Sequence, residues 1–274
     1  MLGQEDKSFE SFFVKTEKPK AHVTLLVGDT GSGKTYTAMS FPEPIFIIDT
    51  ESRAMQTKYY NYKDKDIKIF QPIQFKTQYK ADDEDPLDSH ATIKEISKFI
   101  ISLANKVKSG EITKGTIIVD SSTDIWSLIQ DWAIYELSQY TSKDGSKKAD
   151  TTTGKFSNTF DWGIPNKKHQ ELMGTLRSLS KYGIYIVFTA REREIPEYVK
   201  EKPTLKVLIR AHKDIPFLAD NTFMLKKQAG QFNVKYEAVC IKLGGLSPPI
   251  APIENLTFDK LQTIREEQEK KVGK

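Results

Sequence analysis

The sequence predicts an α/β fold with a mostly parallel central sheet flanked by helices and an antiparallel β-hairpin near the C terminus. Apolar, β-rich runs alternate with segments of helical periodicity as far as residue 190. A glycine-rich turn directly follows the first run, and the segments 221–227 and 232–243 alternate polar and apolar residues around a glycine. Parallel strands need long crossovers, which the intervening helices supply. The chain of 274 residues suffices for one large domain of this kind.

Each element follows from a local pattern. The expected strands are the apolar runs at 22–27, 44–49, 66–70, 116–120 and 182–189. In the expected helix at 89–108, apolar residues recur at helical spacing, as in Ile93, Ile96, Ile100 and Leu103. Further helices are expected at 36–40, 54–63, 123–140, 165–181 and from residue 258. A hairpin-like segment bounded by prolines spans 196–216.

Composition limits the class of protein. The chain has 38% apolar residues, 28% charged residues and a net charge of +4, as expected of a soluble globular protein. No apolar run is long enough to cross a bilayer, and the polar N terminus lacks the apolar core of a signal peptide. The single cysteine, Cys240, cannot form an internal disulfide. We therefore expect a reducing compartment, the cytoplasm, or the host cytoplasm for a viral protein, and no membrane partner.

The turn after the first run is the most specific pattern in the chain. Gly28, Gly33, Lys34 and Thr35 fit the spacing G-x-x-x-x-G-K-[ST] without a mismatch. Glycines allow positive φ and close approach to a ligand, so that backbone N–H groups can surround phosphate oxygens. The start of the next helix favours the same anion. A glycine turn that binds nothing is the alternative, and it would not require the flanking strand and helix.

Each residue type in this loop has an expected role. Lys34 would reach the β- and γ-phosphates and act in catalysis as well as in binding, and the Thr35 hydroxyl would ligate Mg²⁺. The nucleotide, ATP, would contact Gly28, Asp29, Thr30, Gly31, Ser32, Gly33, Lys34, Thr35 and Tyr36.

Two carboxylates at strand ends are the expected partners of the loop. Asp120 would hold Mg²⁺ beside Thr35, although an Asp at this position could also cap the following helix. Glu51 ends the next strand along the chain, which a right-handed crossover would place near the first strand. There it could deprotonate the attacking water. A surface role for Glu51 remains open, and so does Asp49 as a competing base.

Five segments together resemble a known family. They are the phosphate loop, IDTES at 48–52, IKIFQP at 67–72, IIVDSS at 117–122 and IVFTARER at 186–193. Over about residues 20–245 the chain resembles the RecA/RadA-like P-loop ATPases. More narrowly, it resembles the RecA-like ATPases of phages and archaeal viruses, of the single-strand annealing type. The resemblance implies a RecA-like P-loop NTPase fold, Glu51 as catalytic base and Asp120 as the Walker B aspartate.

The chain departs from this family at the end of the last core strand. RecA proteins carry a sensor glutamine there, whereas this run ends in Arg191. Thr189 or Arg191 would then sense the γ-phosphate, or Arg191 and Arg193 would reach a neighbour's nucleotide. The alternative is an exposed arginine paired with Glu192 and Glu194. We expect Arg191 to be catalytic.

The resemblance also implies partners. The family's two DNA-binding loops would fall at 141–155 and 196–216, and both segments carry lysines. Loops of this composition are also common as solvated surface. Single-stranded DNA and further copies of the chain, in a ring or a filament, are the expected partners.

The chain divides into three expected parts. Residues 1–20 form an N-terminal extension, 21–250 the RecA-like ATPase domain, and 251–274 a charged, exposed helical tail. Apolar residues of the extension would cover the subunit's own core or dock on a neighbour, namely Phe9, Phe12, Phe13 and Val14.

Four functions compete on this basis. The first is a RecA-like ATPase acting on DNA in recombination, single-strand annealing or replication. A viral DNA-packaging or translocating motor shares the site but needs a closed ring. A nucleotide-regulated binding module with little turnover would not need both Asp120 and Glu51. A small-molecule phosphotransferase would need an acceptor pocket or an arginine-rich lid, and neither is evident in the sequence.

Overall fold

The computed structural model describes the backbone of residues 21–76, 87–140, 149–150, 155–156, 159–199, 202–229 and 234–272. Side chains are described in these ranges except at 150, 155, 159–160, 194–199, 202–207 and 229. The N-terminal extension and most of the expected loop at 141–155 therefore lie outside the described residues.

Strands and helices alternate as expected. The strands are β1 Val23–Gly28, β2 Ile45–Asp49, β3 Ile67–Phe70, β4 Gly115–Asp120, β5 Ala149–Asp150, β6 Lys155–Phe156, β7 Ile184–Val199, β8 Lys202–Arg210, β9 Asn221–Ala229, β10 Val234–Leu243 and β11 Ile253–Glu254. The helices are α1 Lys34–Met39, α2 Ala54–Asn61, α3 Ser89–Lys108, α4 Ser122–Ser138, α5 Gly163–Ser178, α6 Ile215–Leu218 and α7 Phe258–Val272. Short 3₁₀ turns precede and follow α5, at Thr159–Trp162 and Leu179–Tyr182.

In the described part of the chain, nine strands form one sheet in the order β11-β10-β9-β1-β7-β4-β2-β3, with β8 paired to β7 outside this row. The strands from β9 to β3 in this order are parallel, whereas β10, β11 and β8 pair antiparallel with their neighbours. The fold class is confirmed: a mostly parallel sheet with an antiparallel hairpin, β9–β10, near the C terminus.

Two details of the strand arrangement differ from expectation. The strand that precedes Glu51 does not lie beside β1, because β7 and β4 separate β2 from β1 in the sheet. The strand expected at 182–189 also continues as far as Val199. It continues because its second half pairs with β8, from Arg191 opposite Arg210 to Val199 opposite Lys202. The hairpin-like segment is thus confirmed as a hairpin that begins within β7.

Helices cover both faces of the sheet. Alternate residues of β1, such as Leu25 and Leu26, belong to different buried clusters, because successive side chains of a strand point to opposite faces. One cluster contains residues of α3, α4 and α5, and the other contains residues of α1 and α7. Burial of these apolar faces on both sides of the sheet stabilises the fold.

The C-terminal helix α7 is present where the sequence predicts it, and one of its faces is buried rather than exposed. Leu261 is 2% exposed and packs in the cluster beside α1. Arg265 donates a hydrogen bond from Nη1 to Asn221 Oδ1 at 2.9 Å. Across the described ranges, no helix combines the length and the apolar character that a membrane span requires.

Candidate nucleotide site

The loop between β1 and α1 has the glycines that its geometry requires. A Cβ on Gly28 would lie 2.3 Å from the carbonyl oxygen of Leu225 on β9 and 2.6 Å from Ser32 Oγ. Gly33, at the start of α1, has a φ of +94°, which residues with a side chain rarely adopt. The close approach of β9 therefore excludes any side chain at Gly28, and the turn into α1 favours glycine at Gly33.

Lys34 is held inside the loop. Its Nζ donates to the carbonyl oxygens of Gly28 at 2.9 Å and Asp29 at 2.8 Å. The residue is only 7% exposed. Burial lowers the pKa of Lys34, and the nearby carboxylates of Glu51 and Asp120 partly oppose this. The ammonium group thus lies close to both predicted carboxylates.

Asp120, at the end of β4, connects the loop to β7. Its Oδ2 accepts a hydrogen bond from Thr35 Oγ1 at 2.7 Å, and its Oδ1 accepts one from Thr189 Oγ1 at 2.5 Å. Burial raises the pKa of Asp120 to about 6, although both hydrogen bonds act in the opposite direction. The N-cap of α4 is Ser121, whose Oγ accepts from the backbone N–H of Asp124. The alternative role of Asp120 as the helix cap is therefore wrong.

Glu51 reaches the site through the loop that follows β2. The backbone N–H of Thr50 donates to the carbonyl oxygen of Asp120 at 2.7 Å, so the chain leaves β2 across the end of β4. Glu51 thereby lines the same cavity as Lys34 although β2 lies three strands from β1. Asp49 is fully buried and accepts a hydrogen bond from Ala54 N at 3.2 Å, so it supports α2 rather than facing the cavity.

Arg191 contacts Glu51 within the same chain. Its Nε and Nη2 donate to Glu51 Oε1 at 3.1 and 3.0 Å, and Nη2 also donates to Asp124 Oδ2 at 3.1 Å. The described partners of Arg191 are thus Glu51 and Asp124, not the adjacent Glu192. The backbone N–H of Arg191 donates to Thr123 Oγ1 at 2.9 Å, which fixes the strand at this point. Arg191 therefore orients the predicted base.

A cavity of about 520 Å³ lies against this loop. Of the predicted nucleotide contacts, residues 30–36 line it, whereas Gly28 and Asp29 are outside its lining and accept the hydrogen bonds of Lys34 Nζ. The cavity wall includes residues that the sequence did not point to, along α2, on the β9–β10 hairpin and in the turn after β11, chiefly Arg53, Thr57, Asn61, Leu225, Tyr236, Asn255 and Leu256. No local motif marks them, because folding brings them together from distant parts of the chain.

The residues present fit a phosphate group and a magnesium ion. Ser32 Oγ is buried and has no hydrogen-bond partner within the described residues, so the loop retains unused polar capacity. The Thr35 hydroxyl and the Asp120 carboxylate offer adjacent oxygens, and oxygen ligands are the ones that Mg²⁺ prefers. Thr35 and Asp120 would hold the ion.

Comparison with known proteins identifies the family. Residues 20–220, more than two thirds of the chain, match the family model described as AAA domain. The chain belongs to the AAA domain family. Membership in this family agrees with the phosphate loop and identifies the chain as a P-loop NTPase.

Among solved structures, a KaiC-like protein from the hyperthermophilic archaeon Pyrococcus horikoshii matches this AAA domain protein with 14% identity and a TM-score of 0.43, covering 90% of each chain. No curated protein matches the chain. The family match ends at residue 220, so β9, β10 and the C-terminal segment that line the cavity lie beyond it.

Proposed function

We propose that this protein binds ATP and hydrolyses it with Mg²⁺, as a RecA-like ATPase of the type found in phages and archaeal viruses that acts on DNA. One observation supports hydrolysis: the predicted residues Lys34, Thr35, Glu51 and Asp120 lie close together. Lys34, Thr35 and Glu51 line one cavity, and Thr35 contacts Asp120 at 2.7 Å. A metal carboxylate and a base beside a phosphate loop are what hydrolysis requires beyond binding.

Each of these residues has its own role in the proposed hydrolysis of ATP. Backbone N–H groups of the loop and Lys34 would bind the triphosphate, and Lys34 would exchange its two loop carbonyls for phosphate oxygens. Thr35 and Asp120 would hold Mg²⁺, which neutralises phosphate charge. Glu51 would accept the proton of the attacking water. Arg191, paired with Glu51 Oε1, would keep that carboxylate directed into the cavity.

Phosphate release tests the reaction. The wild-type protein should release inorganic phosphate from ATP only when Mg²⁺ is present, and Lys34→Ala should abolish release by removing the ammonium group. Transfer of phosphate to an added acceptor instead of water would contradict the proposal and support a phosphotransferase. ATP binding without any release would support a nucleotide-regulated binding module.

For DNA, the support is the β7–β8 hairpin. Its first strand carries Arg191, which contacts Glu51, and then continues beyond the parallel sheet. The hairpin falls where the resembling family has a DNA-binding loop, and its sequence contains Lys200, Lys202 and Lys206. A ligand on the hairpin would therefore act directly on the strand that positions the base. Non-specific binding through lysines should weaken steeply with salt.

Fluorescence anisotropy with a labelled single-stranded oligonucleotide at low salt tests this part. We expect binding, stimulation of ATP hydrolysis, and loss of both in a variant with the three hairpin lysines replaced by Gln. Absence of binding and of stimulation would refute the DNA function while leaving ATP hydrolysis intact. Light scattering with ATP would test the proposed homo-oligomer, and particle imaging would separate a filament from the closed ring of a packaging motor.

A further inference from the structure

The cavity extends beyond the phosphate loop, because residues of β9, β10 and the turn after β11 also line it. Glu51 follows β2 and Asp120 ends β4, and both strands lie on one side of β1, whereas β9 and β10 lie on its other side. A nucleotide whose terminal phosphate lies at Glu51 must extend its nucleoside in the opposite direction. The wall in that direction consists of residues from β9, β10 and the turn after β11.

This wall has the chemistry of a nucleobase site. Leu225, Ala238 and Leu256 supply apolar surface and are 4%, 1% and 4% exposed. Beside them Tyr236 stays 37% exposed, and its Cδ1 lies 3.6 Å from the position that a Cβ on Gly33 would occupy. An aromatic ring next to the end of the phosphate loop offers a stacking surface for a flat heterocycle.

Asn255 supplies a polar edge. It has a φ of +46°, and its backbone N–H donates to the carbonyl oxygen of Tyr236 at 2.8 Å, so the turn fixes the residue beside the ring. A carboxamide offers a donor and an acceptor together, the pair that matches an adenine edge. Glu237 also lines the cavity, and a carboxylate would suit guanine, but Glu237 Oε2 already accepts from Gln228 Nε2 at 2.7 Å.

The wall is attached to the helix that follows the phosphate loop. Thr37 Oγ1 on α1 donates to the carbonyl oxygen of Leu256 at 3.0 Å, and the backbone N–H of Phe258 donates to Ser40 Oγ at 2.8 Å. The distance between loop and wall is therefore set by direct hydrogen bonds. This segment lies beyond residue 220, where the family match ends.

We propose that Tyr236 and Asn255 form a nucleobase site that selects adenine: Tyr236 stacks on the base and Asn255 reads its edge. The proposal rests on the proposed binding of ATP. It assigns the choice of nucleotide to β10 and the turn after β11. The phosphate loop cannot make this choice, because all nucleoside triphosphates share the same phosphates.

Equilibrium binding of ATP, GTP and inorganic tripolyphosphate tests the proposal without reference to hydrolysis. Tyr236→Ala should weaken ATP about 5- to 100-fold through the lost stacking, and should leave tripolyphosphate unchanged. Tyr236→Phe should bind ATP as the wild type does, because the ring remains. Asn255→Ala should reduce the preference for ATP over GTP by about 10-fold.

Tyr182→Ala is the matched control. Tyr182 is a 48% exposed tyrosine that precedes β7 at the opposite end of the sheet from the loop, and its removal should change no affinity. Unchanged ATP affinity in Tyr236→Ala, or an equal loss for tripolyphosphate, would overturn the stacking role. A wild-type preference for GTP would overturn the choice of adenine. Tight ATP binding without phosphate release would refute the proposed hydrolysis and leave the base site standing.

Discussion

His169 on α5 and His212, which follows β8, stack with their ring centroids 4.0 Å apart and their planes 26° apart. Trp126 contacts both rings edge-on, and its ring centroid lies 5.6 Å from that of His169 and 4.5 Å from that of His212. His169 is 1% exposed, and neither of its ring nitrogens has a hydrogen-bond partner in the part of the chain that is described. Burial, together with the neighbouring His212, lowers the pKa of His169 to about 3.

This histidine should make folding sensitive to acid. Its ordinary pKa is 6.5, so between about pH 6.5 and pH 3 the unfolded chain binds a proton that the folded chain excludes. The free energy of unfolding must therefore fall as the pH decreases through 6.5. For this one group, the fall between pH 7 and pH 5 is about 2 kcal/mol. Burial also lowers the pKa of His212, which acts in the same direction, although Asp214 opposes it.

Urea unfolding at pH 7 and pH 5, compared between wild type and His169→Phe, measures the effect. Phe keeps a flat ring in the stack and cannot be protonated, and the carboxylates common to both proteins cancel in the comparison. Between pH 7 and pH 5, the free energy of unfolding of the wild type should fall by about 2 kcal/mol more than that of His169→Phe. A difference below about 0.5 kcal/mol would refute the reasoning, because His169 would then titrate alike in both states.

Three further predictions follow from the site. Gly28→Ala should lower the free energy of unfolding in urea by about 1–3 kcal/mol, because the new Cβ would clash with the carbonyl oxygen of Leu225. In the control Gly174→Ala, the new Cβ has no atom within 4 Å, so stability should not fall. Equal stability of Gly28→Ala and the wild type would contradict the close approach of β9. Asp120→Asn keeps an acceptor for Thr35 but loses the charge, so half-maximal phosphate release should need at least about 10-fold more Mg²⁺, and an unchanged requirement would exclude Asp120 as ligand. Arg191→Ala should lower kcat while ATP affinity is kept, because Glu51 loses its partner; a larger loss in Arg193→Ala would favour an arginine that reaches a neighbour's nucleotide.

Patterns within a short segment allowed much of the fold to be predicted. The helix at Ser89–Lys108 has its predicted bounds because apolar residues repeat at helical spacing along it. The phosphate loop was predictable because its glycines and Lys34 are close in sequence. Strand order was not, since nothing in β2 specifies which strand it pairs with, and β7 and β4 intervene between β1 and β2.

The site residues that could be predicted from the sequence are those of the phosphate loop and the carboxylates at the ends of strands. Asp120 and Glu51 are of this kind. Thr189, one of the two residues expected to sense the γ-phosphate, donates a hydrogen bond to Asp120 Oδ1, a contact that the sequence did not predict. Asp124 accepts a hydrogen bond from Arg191, as Glu51 does. No sequence pattern marks Asp124, because this contact is with a residue 67 positions away. Tyr236 is likewise an ordinary strand residue until the sheet brings it beside Gly33.

Turnover and binding of ATP in Glu51→Gln test the central claim most directly. Gln keeps the size of the side chain and an oxygen that can accept from Arg191, but it cannot take a proton from water. We expect ATP affinity within about 3-fold of the wild type and a fall in phosphate release of at least about 100-fold. Phosphate release at the wild-type rate would contradict the assignment of Glu51 as the base, and with it the account of hydrolysis at this site.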